Sequence, residues 1–135
     1  MPARNDVNPD PVFRQLAAAR DGLLRLHKAL LDGEKAKFER QHGRIATAAD
    51  LLQLVIHNPQ FDWLHRLSEL VVEIDEATDA KEPFPPDAAR GFLQQVRTLL
   101  ESDDPDFGQK LRQAVKNDAT VESAYADVTG QLDQG

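Results

Sequence analysis

The chain contains no cysteine among its 135 residues. This absence excludes disulfide bonds, a cysteine nucleophile, thiolate zinc sites and cysteine-ligated iron–sulfur clusters. Aromatic side chains make up only 6% of the chain, and they form no platform on which single-stranded nucleic acid would stack. Phosphate-binding glycine loops, nucleophile elbows and zinc-protease motifs are also missing. The sequence therefore favours a protein that is not an enzyme, and it predicts no cofactor and no metal.

Positive charge is scarce as well. Lysine and arginine number 16 against 23 aspartates and glutamates, which gives a formal net charge of −7 and a pI near 5.0. Such an acidic chain binds poorly to nucleic acid or to an anionic membrane surface. Apolar runs are short, as in Leu54-Val55-Ile56, and the first nine residues contain none, so we expect neither a membrane span nor a signal peptide. These features predict a cytoplasmic protein that binds neither nucleic acid nor membrane.

The chain does have helical periodicity, in a length typical of one domain. Apolar residues recur at spacings of three and four, whereas the alternation typical of strands does not persist. Proline, glycine and aspartate mark four breaks, at Gly43, Asn58-Pro59, Pro83–Pro86 and Asp103–Pro105. We therefore predict an all-α, antiparallel up-and-down helical bundle of about four rods, with the second rod broken near Asn58-Pro59. Residues 1–11 are predicted to form a flexible N-terminal arm, and residues 12–135 a single bundle domain.

Local signals define the first helix and its expected neighbour. Asp10 is a suitable N-cap, Pro11 suits the first helical position and Gly43 suits the residue after the end, so we predict a helix over residues 11–42. It should run antiparallel to a kinked rod over residues 47–80. The core is expected to draw side chains from all the rods: Leu16, Leu23, Leu30, Phe38, Leu52, Val55, Leu64, Leu67, Val71, Ile74, Phe92, Val96, Leu111 and Tyr125.

One face of the first helix carries mostly small residues. Its members are Ala19, Gly22, Leu26, Ala29, Gly33 and Ala36. A glycine inside a helix costs about 1 kcal/mol relative to alanine, so two of them on one face need a reason. One interpretation is the close approach of another helix of the same bundle. The alternatives are a face for self-association or for a partner helix, and a shallow ligand site.

Polar residues interrupt the apolar side of the same helix. Arg20, His27 and Glu34 recur at intervals of seven, on the side that carries the leucines. Buried charges are expensive unless they are paired. In a structural interpretation Arg20 and Glu34 reach the helix edge, and His27 donates to a neighbouring backbone or carboxylate group. In the functional interpretation these three residues line a pocket, where His27 and Glu34 bind a metal ion or small ligand or act as acid and base.

Two carboxylate–histidine pairs, Glu39–His42 and Asp62–His65, have the spacing found in di-iron bundles. If the first helix and the second rod pair across a loop near residue 44, His27 lies level with Asp62, and the two pairs are roughly 30 Å apart. This separation argues against a di-metal centre. A mononuclear site formed by His27, Asp62 and His65 would require His65 to turn inward.

Charge is unevenly distributed along the chain. Residues 12–44 carry eight basic and four acidic side chains, whereas residues 45–135 carry seven basic and seventeen acidic ones. Residues 69–82 alone hold six acidic side chains. This pattern is typical of a solvated acidic face that the first helix partly neutralises. The alternative is a docking surface for a basic partner.

Three segments resemble a known group of proteins. Residues 26–34 (LHKALLDGE), 38–43 (FERQHG) and 58–76 (NPQFDWLHRLSELVVEIDE) are similar to a family of small bacterial helical proteins of uncharacterised function. The resemblance covers roughly residues 12–130. It implies a helical bundle of bacterial type and transfers no catalytic residue.

These features together predict a non-enzymatic protein-interaction or regulatory module, which acts through a protein partner or through self-association. The missing catalytic motifs, the small-residue face and the segregated charge support this hypothesis. The alternative hypothesis is a helical bundle that binds a metal ion or small ligand around His27 and Glu34.

Overall fold

The computed structural model describes residues 10–80 and 83–133, and these residues are mostly helical. They form six α-helices and one short 3₁₀ helix: α1 Pro11–His42, α2 Ala48–His57, the 3₁₀ helix Pro59–Leu64, α3 His65–Thr78, α4 Pro86–Glu101, α5 Gly108–Asn117 and α6 Ala119–Leu132. No strand occurs in these two ranges, so the prediction of an all-α fold is confirmed. Of the predicted N-terminal arm, residues 1–9 lie outside the described residues.

The 32-residue helix α1 begins and ends where the local signals predict. The Asp10 carboxylate accepts a hydrogen bond of 2.9 Å from the N–H of Val12, and Pro11 occupies the first position, where its missing N–H is not needed. Gly43 follows the helix with φ = 92°, a conformation that glycine adopts without the strain of a Cβ. At 1.5 Å per residue α1 is about 48 Å long, and it sets the length of the bundle.

The α3 helix packs on α1 in the predicted antiparallel direction. Arg20 pairs with Asp75 toward one end of α1, and Glu34 bonds to Trp63 toward the other. This register differs by roughly six to eight residues from that of a hairpin that turns near residue 44. The difference arises because residues 43–57 leave the bundle and return, whereas the prediction assumed a tight turn.

The α4 and α6 helices complete the up-and-down arrangement. Phe13, near the start of α1, packs against Phe84 just before α4, with ring centroids 5.9 Å apart. The α4 helix therefore starts at the same end as α1 and runs parallel to it. A side-chain hydrogen bond from Gln15 to the carbonyl of Leu132 joins the start of α1 to the end of α6. The α6 helix is thus antiparallel to α1 and returns the chain to the first end.

The α5 helix closes the far end of the bundle between α4 and α6. Phe107, just before α5, is fully buried and packs on Trp63 with ring centroids 5.7 Å apart. Leu111 is also fully buried. Gly108 lies directly against the backbone of Ser102, so that a Cβ at this position would overlap the Ser102 carbonyl. The chain can therefore reverse tightly between α4 and α5.

The core follows the predicted pattern with one error. The predicted residues that are buried are Leu16, Leu23, Leu30, Leu64, Leu67, Val71, Ile74, Val96 and Leu111. Those that are half-buried at its edge are Phe38, Val55, Phe92 and Tyr125. The prediction for Leu52 is wrong, because this side chain is 55% exposed. Its helix, α2, packs mainly on the 3₁₀ helix and lies outside the core.

Candidate interaction surface

The small-residue face of α1 packs largely within the bundle. Its buried members are Ala19, Gly22, Leu26 and Ala29. A Cβ built on Gly22 would lie 2.9 Å from the Cβ of Val128 in α6, so the glycine allows the two helices to approach closely. Only Gly33 and Ala36 of this face reach the surface. The structure thus favours the interpretation of a helix contact within the chain over that of a face for a partner.

Arg20, the first of the three polar residues on α1, is paired across the helix interface. Its Nε and one terminal nitrogen donate to the two carboxylate oxygens of Asp75, each at 2.8 Å. A third hydrogen bond of 3.2 Å runs to Asp21. These bonds raise the pKa of Arg20 and lower that of Asp75. The ion pair of Arg20 with Asp75 therefore joins α1 to α3 at the edge of the bundle.

Glu34 is buried rather than extended to the helix edge, which corrects the structural interpretation of the sequence. Its carboxylate accepts hydrogen bonds from the indole N–H of Trp63 at 3.2 Å and from the Gln60 amide at 3.0 Å. The ammonium of Lys37 lies 3.7 Å away. An open cleft of about 650 Å³ runs past Glu34 toward α5. Both carboxylate oxygens are nevertheless engaged, so Glu34 joins α1 to the 3₁₀ helix.

His27 lies on α1 between Arg20 and Glu34. Its side chain is half-buried and has no hydrogen-bond partner in the described part of the chain. Its neighbour is His65 of α3, whose Nε2 donates to the carbonyl of Val55 at 2.8 Å. Burial, with a smaller contribution from the charge of His65, holds the pKa of His27 below its usual value of 6.5. The expected hydrogen bond from His27 is not formed within the described residues. Asp62, which was expected level with His27, is exposed.

The two carboxylate–histidine pairs do not combine into one site. In the first pair, Glu39 accepts a hydrogen bond of 2.8 Å from the N–H of Ile45, and His42 stacks on Phe38 with ring centroids 4.5 Å apart. In the second pair, His65 is bonded to the backbone of α2. Within residues 10–80 and 83–133, no three histidine, aspartate or glutamate side chains are close enough together to hold a metal ion.

The α2 helix is apolar but only partly covered. Half of its ten residues are leucine, valine or isoleucine, and none of the ten is buried. Leu52 and Ile56 are the most open of these, at 55% and 49% exposure, and they lie one turn apart on the same face. Contiguous apolar surface of this kind marks interaction sites on soluble proteins. The α2 helix is therefore the first part of a candidate interaction surface.

The position of α2 is defined although it is exposed. The Thr47 hydroxyl caps the helix by accepting a hydrogen bond of 3.0 Å from the N–H of Asp50. At the other end, the carbonyl of Val55 is held by His65. A cleft of about 590 Å³ separates α2 from the end of α1, and its lining mixes apolar with polar side chains, among them Phe38, His42, Arg44, Leu54 and His57. A partner would therefore meet a helix that is already ordered, which lowers the entropic cost of binding.

Leu24 and Val72 are the other large apolar side chains that are exposed in the described residues, at 40% and 52%. Leu24 follows Arg20 by one turn of α1, and Val72 precedes Asp75 by one turn of α3, so the two lie level beside this ion pair. His27 is one turn further along α1 from Leu24. These two apolar side chains are therefore on the outer side of the α1–α3 pair.

The α2 helix lies on this same outer side. Lys35, Phe38 and His42 of α1 line the clefts against α2, and with Leu24 they share one face of α1 at helical spacing. On α3, His65 holds α2 and lies two turns from Val72 on one face. The four large apolar side chains that are exposed in the described residues therefore belong to this outer side, Leu24 and Val72 on α1 and α3, and Leu52 and Ile56 on α2. We call this side the outer groove: Leu24 and Val72 at one end, His27 and His65 in the middle, Leu52 and Ile56 on α2 at the other end.

The exposed side of α3 is acidic, and two of its glutamates, Glu69 and Glu73, also line a cleft between α3 and α4. Glu69, Glu73 and Glu76 surround Val72 at helical spacing, and all three are exposed. None of them forms an ion pair with another described residue. On the α1 side, Lys28 pairs with Asp32 at 3.1 Å, whereas Arg25 and Lys35 form no ion pair with another described residue. Part of the acidic segment predicted from the sequence therefore borders the exposed apolar side chains.

Sequence reasoning missed the outer groove because it placed Leu52 in the core. A signal was present in α2: apolar residues occupy five of the six positions from Leu51 to Ile56. A helix that packs on one side of a bundle buries only one stripe, so a helix whose apolar residues spread over a wider arc leaves some of them uncovered unless other elements surround it.

Comparison with protein-family models, with curated proteins and with solved structures finds no match to this chain. Within the described residues, every helix is too short or too polar to cross a membrane.

Proposed function

We propose that this protein is a non-enzymatic protein-interaction module that binds its partner at the outer groove. The observation that carries the proposal is the exposure of four large apolar side chains: Leu24 and Val72 on the outer side of the α1–α3 pair, and Leu52 and Ile56 on α2. Each of these side chains is about half exposed, and covering it would contribute about 1 kcal/mol. The four together would supply about 4 kcal/mol of favourable binding free energy.

The alternative, a metal or small-ligand site around His27 and Glu34, has weaker support. The two residues are seven positions apart, which separates them by roughly 10.5 Å along α1. Glu34 already bonds to Trp63 and Gln60. A ligand that used both residues would have to break these buried hydrogen bonds.

Site-specific photocrosslinking in the native cell tests the proposal. A photoreactive phenylalanine analogue replaces Ile56 in one variant and Ser123 in a matched control, because Ser123 is exposed on α6 away from the groove. We expect a discrete protein adduct at position 56 that is absent at position 123. The purified adduct partner should then bind the wild-type chain, and Leu52→Gln with Ile56→Gln should weaken that binding at least tenfold.

Identical adduct patterns at positions 56 and 123 would contradict the proposal. A partner that binds the Leu52→Gln, Ile56→Gln variant as tightly as the wild-type chain would also contradict it. Because α2 is outside the core, Leu52→Gln with Ile56→Gln should leave the thermal unfolding midpoint nearly unchanged. Loss of binding can therefore be separated from loss of folding.

A further inference from the structure

We propose that a cleft between α1 and α5 binds a small organic anion with an apolar body. The cleft is the space of about 650 Å³ that runs past Glu34, and we call it the α1–α5 cleft. It lies on the opposite side of α1 from α2, because Gly33 lines it whereas Lys35 and Phe38 line the clefts against α2. The proposal is therefore independent of the outer groove and of any protein partner.

The α1–α5 cleft has the volume of a small-molecule site and an apolar floor. Pockets for such ligands have volumes of about 300–1,000 Å³ and combine apolar side chains with a few polar groups. The side chains of Leu30, Trp63 and Val121 line the cleft and are themselves buried, so they form its floor. The indole of Trp63 is fixed by its hydrogen bond of 3.2 Å to Glu34. The apolar body of the ligand would pack on this ordered surface.

Gly33 leaves room for a ligand in the cleft. A Cβ at this position would meet only a carboxylate oxygen of Asp118, at 3.7 Å, and Gly33 does not have a positive φ. Neither helix packing nor backbone conformation therefore requires glycine here. The residue still costs about 1 kcal/mol of helix stability relative to alanine. Such a cost is typical of positions where stability is given up for function.

Unpaired positive charge at the cleft selects an anion. Arg40 of α1 and Lys110 of α5 both line the cleft, are exposed and form no ion pair with another described residue. The two acidic residues of the lining are already engaged. Glu34 accepts two side-chain hydrogen bonds, and Asp118 caps α6 by accepting a bond of 2.9 Å from the N–H of Thr120. An anion would pair with the two free cations, whereas a cationic ligand would be repelled by them.

Lys37 supplies a third positive charge at the same cleft. Its ammonium lies 3.7 Å from the carboxylate of Glu34, and it precedes Arg40 by one turn on α1. A carboxylate, sulfonate or phosphate group can therefore meet cations from both helices. Binding in this way leaves the buried hydrogen bonds of Glu34 intact and does not involve His27.

Two fluorescent probes that differ in charge test the proposal. 8-Anilinonaphthalene-1-sulfonate is an apolar anion, and N-phenyl-1-naphthylamine has the same ring system without the sulfonate. Each probe is titrated onto the full chain under native conditions, and its fluorescence gives a dissociation constant. We expect the sulfonate to bind at a single site, about tenfold more tightly than the neutral amine. The affinity of the sulfonate should fall as salt rises.

Paired variants locate the site. Arg40→Gln with Lys110→Gln should weaken binding of the sulfonate about tenfold and change that of the neutral amine less than about twofold. Arg25→Gln with Lys116→Gln makes the same change in net charge at exposed positions outside the cleft, and it should weaken binding of the sulfonate less than about threefold. Gly33→Leu places a side chain in the cleft and should weaken binding of both probes.

Four results would overturn the proposal: no saturable binding of the sulfonate, equal affinity for the two probes, equal losses in the two charge variants, or unchanged binding of both probes to Gly33→Leu. Leu52→Gln with Ile56→Gln alters only the outer groove and should bind the sulfonate as the wild type does. Loss of binding in that variant would place the probe on α2 and would also contradict the proposal. Far-UV circular dichroism confirms that each variant is folded. The photocrosslinking result at position 56 concerns the outer groove and stands or fails separately.

Discussion

Replacing Gly22 with alanine should destabilise the bundle even though alanine is the better helix former. The new Cβ would lie 2.9 Å from the Cβ of Val128 and 3.3 Å from its Cα, so the backbones of α1 and α6 would have to separate. Overpacking of this kind costs about 1–3 kcal/mol, and the gain in helix propensity returns at most about 1 kcal/mol. When the full gain is realised, we expect a net loss of up to about 2 kcal/mol of unfolding free energy.

Gly33→Ala is the matched control on the same face of α1. A Cβ at residue 33 meets only a carboxylate oxygen of Asp118, at 3.7 Å, which is an ordinary contact. This substitution should stabilise the protein by about 0.5–1 kcal/mol through helix propensity alone. Urea denaturation followed by far-UV circular dichroism measures both changes. If Gly22→Ala stabilises the chain as much as Gly33→Ala does, the close contact between α1 and α6 is refuted.

A double-substitution cycle locates the strain. Val128→Ala removes the Cγ2 atom that would lie 3.1 Å from the new Cβ but keeps the Cβ at 2.9 Å. In the Gly22→Ala background it should therefore cost less than in the wild type, by about 0.5–1 kcal/mol. Strict additivity of the two substitutions would show that residues 22 and 128 are not in contact.

Three further predictions concern the interior. Glu34→Ala leaves the indole N–H of Trp63 without its acceptor and should cost about 1–3 kcal/mol in urea denaturation, whereas Glu34→Gln keeps an acceptor and should cost less. Because burial lowers the pKa of His27, its imidazole binds a proton more readily in the unfolded chain than in the folded one. The unfolding free energy should therefore fall as the pH drops through 6.5. His27→Leu removes this group, so it should reduce the difference between the unfolding free energies measured at pH 8 and at pH 5.5. Gly108→Ala should lower the thermal midpoint more than Gly22→Ala, since its Cβ would overlap the Ser102 backbone, and an equal midpoint would contradict this packing.

Several structural features could be predicted from short stretches of sequence. The limits of α1 follow from Asp10, Pro11 and Gly43, and the start of α2 follows from the Thr47 cap. Capping and apolar periodicity act within one or two helical turns, so no knowledge of distant residues is needed. For the same reason most of the core leucines of α1 were identified correctly.

The partners of Arg20 and Glu34 required the tertiary structure. Both residues stand out in the sequence as polar groups on an apolar side, but the register that brings them to Asp75 and Trp63 depends on where residues 43–57 leave and rejoin the bundle. A shift of six residues along a helix moves a side chain by about 9 Å, which is enough to exchange one partner for another.

The sequence by itself determined that this chain forms helices, where most of them begin and end, and which side chains are apolar. Only the tertiary structure decided which apolar side chains are covered. Leu51 and Leu52 are neighbours in the same helix, yet Leu52 is more than half exposed and Leu51 is partly buried. Burial depends on which distant segments pack against each face, and no described segment of the chain covers Leu52 and Ile56 of α2. The outer groove exists for this reason.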